Sequence, residues 1–242
     1  MIVEAHNLVA GYEQRVLIRN LSFYVPEPAF IAIIGHNGAG KTTLFKTFQQ
    51  QVPYQGHLKL QGQDLQSIAN PTAQGLLSYL PQKNIVSFPI KVHDLVVMGL
   101  FRKKRFFENY SAEDYTLAAA ILEKLELSHL IEHDFTTLSG GEQQLVWLAQ
   151  LILQDAGICL LDEPTQQLDV YYKKQVFILL QEWVQQNNKT VLCITHDLLN
   201  LLPMNGYLLN LSKPDPVLEV ISTETVLQNQ DFLESSRGPL SL

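Results

Sequence analysis

"GHNGAGKTT", Gly35–Thr43, decides how this 242-residue chain folds. It satisfies G-x-x-x-x-G-K-[ST], it follows the apolar run "FIAIIG", and it opens a helix expected from about Lys41 to Gln50. A strand, a glycine-rich turn and a helix in that order make a phosphate cradle. Glycines at 35, 38 and 40 let backbone N–H groups turn inward, and the helix N-terminus adds a favourable dipole. Lys41 then reaches the β- and γ-phosphates of a nucleotide, Thr42 offers its hydroxyl to Mg2+, and His36, Asn37, Ala39 and Thr43 complete the loop.

A metal-bound nucleotide needs a second anchor from a neighbouring strand end. "ICLLDEP", Ile158–Pro164, supplies it: four apolar residues place Asp162 at the carboxyl edge of a buried strand, where open α/β sheets bind ligands. Asp162 suits the metal shell, and Glu163 suits a water that attacks the γ-phosphate.

Outward from these motifs, "IVEAHNLVA", "RNLSFYV" and "AFIAIIG" are expected as a β-region, with "YEQRV" and "VPEP" as its turns. "HLKLQG" and "LLSYLP" read as further strands. From about Val92 to Leu153 the pattern is helical, through "VHDLVVMGL", "SAEDYTLAAAILEKLEL" with Ser111 as N-cap, and "GGEQQLVWLAQLILQ". Strand and helix then alternate again in "GICLLD", "VYYKKQVFILLQEWVQQ", "TVLCIT", a short helix near Leu198, "GYLLNLS" and "PVLEVIS". The expectation is an α/β protein: a P-loop NTPase core with a mainly parallel sheet, an N-terminal antiparallel β-region and an inserted α-helical subdomain.

The composition is that of an ordinary soluble protein, with 46% hydrophobic and 17% charged residues. A formal charge of −7 argues against a nucleic-acid binder that neutralises phosphates over a broad face. Cys159 and Cys193 lie inside apolar β-type runs and are expected as buried strand residues. The start lacks a signal-peptide layout, and no apolar run approaches the ~20 residues that cross a bilayer, so the expected location is cytoplasmic, attached to the membrane through a partner.

A further motif, "LSGGE" at Leu138–Glu142, stands with the glycine loop, "LLDEP", the "LPQ" ending at Gln82 and the "ITHD" containing His196. Together, in order and spacing, they resemble the nucleotide-binding subunit of ATP-binding cassette (ABC) transporters over nearly the whole chain. The resemblance implies one ABC ATPase domain over residues 1–242, with 1–82 and 154–242 as nucleotide-binding core and 83–153 as a helical signature subdomain. It implies ATP and Mg2+ as cofactors and a head-to-tail homodimer. In that dimer Ser139, Gly140, Gly141 and Glu142 of one copy complete the ATP site of the other.

By the same resemblance Gln82 senses Mg2+ and the attacking water, His196 contacts the γ-phosphate, Asp169 bridges the subunits, and Tyr12 stacks on adenine. Catalysis would fall to Lys41, Gln82, Glu163 and His196, and the metal to Thr42, Gln82 and Asp162. Permease subunits in the membrane are implied partners, with an external substrate-binding protein as a further one and no nucleic acid. "FPIKVHDLVVMGL" is similar to importers of iron chelates, haem and vitamin B12, or of zinc and manganese. A soluble ABC ATPase of macromolecular assembly is the alternative.

The chain also departs from the family pattern. Glu142 stands where glutamine is usual, Leu145 and Gln150 where arginines are common, and Gln166 and Gln167 where small residues precede Leu168 and Asp169. "HLIEH", His129–His133, fits a zinc-peptidase pattern but lacks an evident third ligand. "FRKKRFF", Phe101–Phe107, is expected as a solvated loop, with anionic lipid or a partner as its other reading.

Overall fold

The computed structural model describes residues 1–13, 15–105 and 107–235. The chain opens with β1 (Val3–Tyr12) and β2 (Arg15–Val25), paired antiparallel with Tyr12 opposite Arg15. Of the expected turn "YEQRV", ladder pairing carries Tyr12, Arg15 and Val16 into the strands, and Gln14 lies outside the described residues. β3 (Phe30–Ile34) runs into the glycine loop and α1 (Lys41–Phe48). β4 (Tyr54–Leu60) and β5 (Gln63–Asp64) then return to β1, giving a four-stranded antiparallel sheet in the order β2-β1-β4-β5.

β6 (Leu77–Leu80) leads into the helical stretch of α2 (Val92–Val97), α3 (Ala112–Lys124) and α4 (Gly140–Leu153). The remainder alternates: β7 (Ile158–Asp162), α5 (Val170–Asn187), β8 (Thr190–Ile194), β9 (Gly206–Asn210), β10 (Leu218–Val220) and α6 (Thr223–Ser235). A six-stranded sheet in the order β10-β9-β3-β8-β7-β6 is parallel except at its β9/β10 edge.

Two expectations change. "AFIAIIG" does not belong to the N-terminal β-region: β3 sits between β8 and β9, and all five of its residues are buried, as a central parallel strand requires. α6 was not expected, since it carries no continuous apolar stripe. It is held instead by buried Val226 and by Asn229, whose Oδ1 accepts from Asn210 Nδ2 at 2.9 Å.

The parallel sheet divides two hydrophobic cores. Ile31, Ile33, Ile158, Leu160, Leu192 and Ile194 face α1 and the antiparallel sheet, meeting Leu44, Phe45 and Phe48. The alternate residues, including Phe30, Ala32, Leu161 and Val191, face α5 and the helical stretch. Phe30 meets Phe177 edge to face at 6.2 Å, and truncating such a buried ring to alanine costs about 3 to 5 kcal/mol. Both cysteines are buried strand residues, and burial pushes the Cys159 thiol up to about 12.

The helical stretch shares the second core, so it packs directly on the sheet. Ser111 caps α3 through a capping box with Asp114. At Gly99 a Cβ would run into the Gln150 carbonyl, so the backbone crosses α4 at a separation only glycine permits. In "FRKKRFF", Phe106 lies outside the described residues. Arg102 donates to the Gln154 carbonyl at 2.5 Å, Lys103 pairs with Asp155 at 3.2 Å, and Lys104 pairs with Asp114 at 2.5 Å. These cations are engaged within the chain. Among the described residues no helix is long and apolar enough to cross a membrane.

Candidate functional site

The carboxyl ends of β3, β7 and β8 are neighbours in the sheet, and each delivers part of one cluster. From β3 comes the glycine loop. Gly35, Gly38 and Gly40 have φ of 149°, 85° and 94°, a region L side chains rarely adopt. Ser212, in the turn after β9, accepts from the His36 amide at 2.8 Å and packs against Gly35.

Lys41 is buried, and its ammonium donates to the carbonyls of Gly35 at 2.6 Å and His36 at 3.0 Å. Burial lowers its pKa, opposed by the charges of Glu163 and Asp162. The lysine thus spans its own loop across the space that phosphate oxygens would take.

From β7 come the two carboxylates. Asp162 is only 5% exposed and accepts from the Thr42 hydroxyl at 3.1 Å. Burial raises its pKa, with the Thr42 bond acting against the shift. Beside it, burial and then the Asp162 carboxylate push the Tyr79 phenol up to about 12. Glu163 has φ of 53°, a costly conformation for a non-glycine residue, held by its amide donating to the Ile194 carbonyl at 3.0 Å. That turn swings Glu163 out of strand alternation.

Both carboxylate oxygens of Glu163 are engaged. His196 Nε2, from the end of β8, lies 3.1 Å from Oε1, and Gln82 Nε2, just past β6, donates to Oε2 at 2.9 Å. The same Gln82 nitrogen donates to Gln166 Oε1 at 3.1 Å. Asp197 fastens the loops beneath: Thr165 Oγ1 donates to it at 2.6 Å, and Lys173 Nζ lies 2.8 Å from its other oxygen.

Lys41, Thr42, Gln82, Asp162, Glu163 and His196 therefore converge from four strand ends, while Ser139–Glu142 and Asp169 have no contact with that cluster among the described residues. Tyr12 stands half exposed at the end of β1. Opposite it, Arg15 extends to within 3.7 Å of the position a Cβ on Gly38 would take. Ser139 caps α4 in a capping box: its amide donates to Glu142 Oε2 at 2.8 Å, and its Oγ accepts from the Glu142 amide at 3.4 Å. The Ser139 hydroxyl also donates to that carboxylate at 2.7 Å, and this bonding lowers the Glu142 pKa. Gly140 and Gly141 face Gln167 and Leu168, and Asp169 caps α5 by accepting from the Tyr172 amide at 2.9 Å.

Sequence reasoning missed Ser212, Tyr79 and Asp197 as supports, and the contact that makes Gln166 part of the site. Asp197 alone carried a local signal, following His196 directly. Of the departures, Leu145 is buried in the core of the helical stretch. Glu132 of "HLIEH" pairs with Lys91 at 2.7 Å and His93 at 3.2 Å.

Known proteins share this plan. A profile of the ABC transporter family matches residues 18–166. The ferric enterobactin transport ATP-binding protein FepC of Escherichia coli is 32% identical over 197 residues, covering 81% of this chain and 73% of its own length. The manganese transport system ATP-binding protein MntB of Bacillus subtilis is 34% identical over 199 residues, covering 81% and 77%. A solved metal-chelate type ABC transporter in an inward-facing conformation superposes with a TM-score of 0.79 at 28% identity, covering 97% of this chain and 89% of that one.

Proposed function

The chain belongs to the ABC transporter family, and from that premise we propose that it energises an importer of a metal chelate or a metal ion. It is an ATP-binding subunit whose ATP hydrolysis is coupled to transport. The relatives named for enterobactin and manganese support the cargo class. They are components of transport systems, which gives the soluble assembly ATPase no support.

The observation that carries the chemistry is Glu163 held between His196 and Gln82 beside the Thr42–Asp162 pair. In the proposed reaction the amides of Gly35–Thr43 receive the phosphates, and Lys41 exchanges its two loop carbonyls for phosphate oxygens. Glu163 takes a proton from the attacking water while His196 contacts the γ-phosphate. Thr42, Asp162 and Gln82 fit Mg2+, since Asp162 is buried and desolvated beside the Thr42 hydroxyl and would gain a counter-charge there. Bound there, Mg2+ would neutralise charge spreading over the phosphate oxygens.

The assembly proposed is a homodimer. Ser139, Gly140, Gly141 and Glu142 of each copy face the other copy's nucleotide, Asp169 lies at the contact, and Tyr12 stacks on adenine. Residues 1–82 and 154–242 act as the nucleotide-binding core and 83–153 as the signature block. The dimer works on permease subunits at the cytoplasmic face of the membrane, with an external substrate-binding protein delivering cargo. A gentle detergent pull-down of the tagged chain from native membranes tests this reading. Recovery of a many-helix permease is the expected result, and recovery of a soluble partner alone would overturn the importer.

A further inference from the structure

Gln82 ends in an amide whose carbonyl and NH2 are nearly equal in size, and its side chain is exposed. Packing alone therefore does little to choose which atom faces the nucleotide. Hydrogen bonding does choose. The Gln82 atom that meets Glu163 Oε2, at 2.9 Å, is the nitrogen, which donates to the carboxylate oxygen. The second N–H of that nitrogen then needs an acceptor, and Gln166 Oε1 at 3.1 Å supplies one. With both hydrogens engaged, Gln82 Oε1 is directed away from Glu163.

One contact leaves an exposed amide free to pivot about it, and a second pins it. Gln166 supplies that second contact from the turn that follows Glu163. Its main chain is fixed: the Gln166 backbone amide donates to the Glu163 carbonyl at 3.2 Å, and nearby Thr165 and Leu168 are anchored by Asp197 and by burial.

We propose that Gln166 is a positioning residue that locks the Gln82 amide with its oxygen toward the metal and nucleotide and its nitrogen toward Glu163. The proposal rests on the ATPase reading above. It also gives a physical use to one of the two glutamines that stand where the family has small residues.

Two substitutions of nearly equal length separate acceptor chemistry from bulk. Gln166→Met removes the acceptor, and Gln166→Glu keeps it. The first readout is binding rather than turnover: the affinity of the full-length chain for the ATP analogue AMP-PNP, with and without Mn2+, with bound Mn2+ followed by electron paramagnetic resonance. Metal-free affinity should match wild type in Gln166→Met and fall at low salt in Gln166→Glu, where the added charge repels the phosphates, so each variant is compared through its own Mn2+ tightening. The tightening produced by Mn2+ should fall about three- to tenfold in Gln166→Met and stay near wild type in Gln166→Glu, the range of one lost hydrogen bond. In ATPase assays Gln166→Met should lower kcat with little change in KM for ATP. Equal losses in both variants, or a wild-type metal effect in Gln166→Met, would overturn the proposal. Absence of AMP-PNP binding by the wild-type chain would overturn the nucleotide reading beneath it.

Discussion

His196 Nε2 stands 3.1 Å from Glu163 Oε1, so the strand ends of β7 and β8 are joined by the side chains proposed to face the γ-phosphate. With Gln82 on its other oxygen, Glu163 is aimed by both neighbours before any nucleotide arrives. A base pre-aimed in this way loses little entropy at the chemical step.

Glu163→Gln should keep the hydrogen-bonding shape and lose the base. Hydrolysis is expected to fall by about 100-fold or more, with ATP affinity retained and an ATP-trapped dimer accumulating. Phosphate release together with size-exclusion chromatography in ATP checks this, and normal turnover would remove Glu163 from its role.

Asp162 should weaken the nucleotide-free chain at neutral pH. Burial holds its folded pKa above the ordinary value of 3.8, so the folded state keeps that proton more tightly. The stability this confers is full below 3.8 and is lost as pH rises through the folded value. Asp162→Asn should therefore stabilise the nucleotide-free chain by about 1 kcal/mol at pH 7 while abolishing metal-dependent tightening of ATP binding. Thermal melts from pH 4 to 7 should converge for the two proteins at the acid end, and parallel curves would refute the assignment.

Glu142 brings a carboxylate to the signature turn that is proposed to face another copy's γ-phosphate. Glu142→Gln preserves an acceptor for the Ser139 amide and removes the like charge. The ATP concentration for half-maximal dimerisation should drop by roughly threefold at low salt, the scale of an exposed charge interaction, and the difference should shrink at high salt. Light scattering over a salt series reads both effects.

Tyr12 presents a half-exposed ring at the end of β1. Tyr12→Ala should weaken ATP binding by about tenfold, the lower part of the range for base–aromatic stacking, whereas Tyr12→Phe should bind as wild type does. Equal losses in both variants would point to the hydroxyl instead. A fluorescent ATP analogue provides the titration.

Most of the cluster was legible in sequence because its chemistry is local. A glycine loop needs left-handed residues next to a lysine and a hydroxyl, and an apolar strand ending in two carboxylates marks its own edge. Ser111 was equally legible as an N-cap, since a capping box closes within four residues, whereas the same device at Ser139 went unread. β3 was assigned to the wrong neighbours because a fully buried run advertises burial without naming its partners. α6 escaped because two buried residues, one of them asparagine, leave no periodic signal.

By itself the sequence determined the glycine loop at a strand end, the carboxylate pair, the turn that opens α4 and the alternation that demands a mainly parallel sheet. Each follows from residue type over a few neighbouring positions. Only the tertiary structure decided that Lys41 closes on its own loop carbonyls, that Ser212 and Asp197 brace loops far from them in sequence, and that Gln166 meets Gln82 across 84 positions. Those are choices of hydrogen-bond partner, and a donor finds its acceptor through the packing of the sheet that brings the strand ends together.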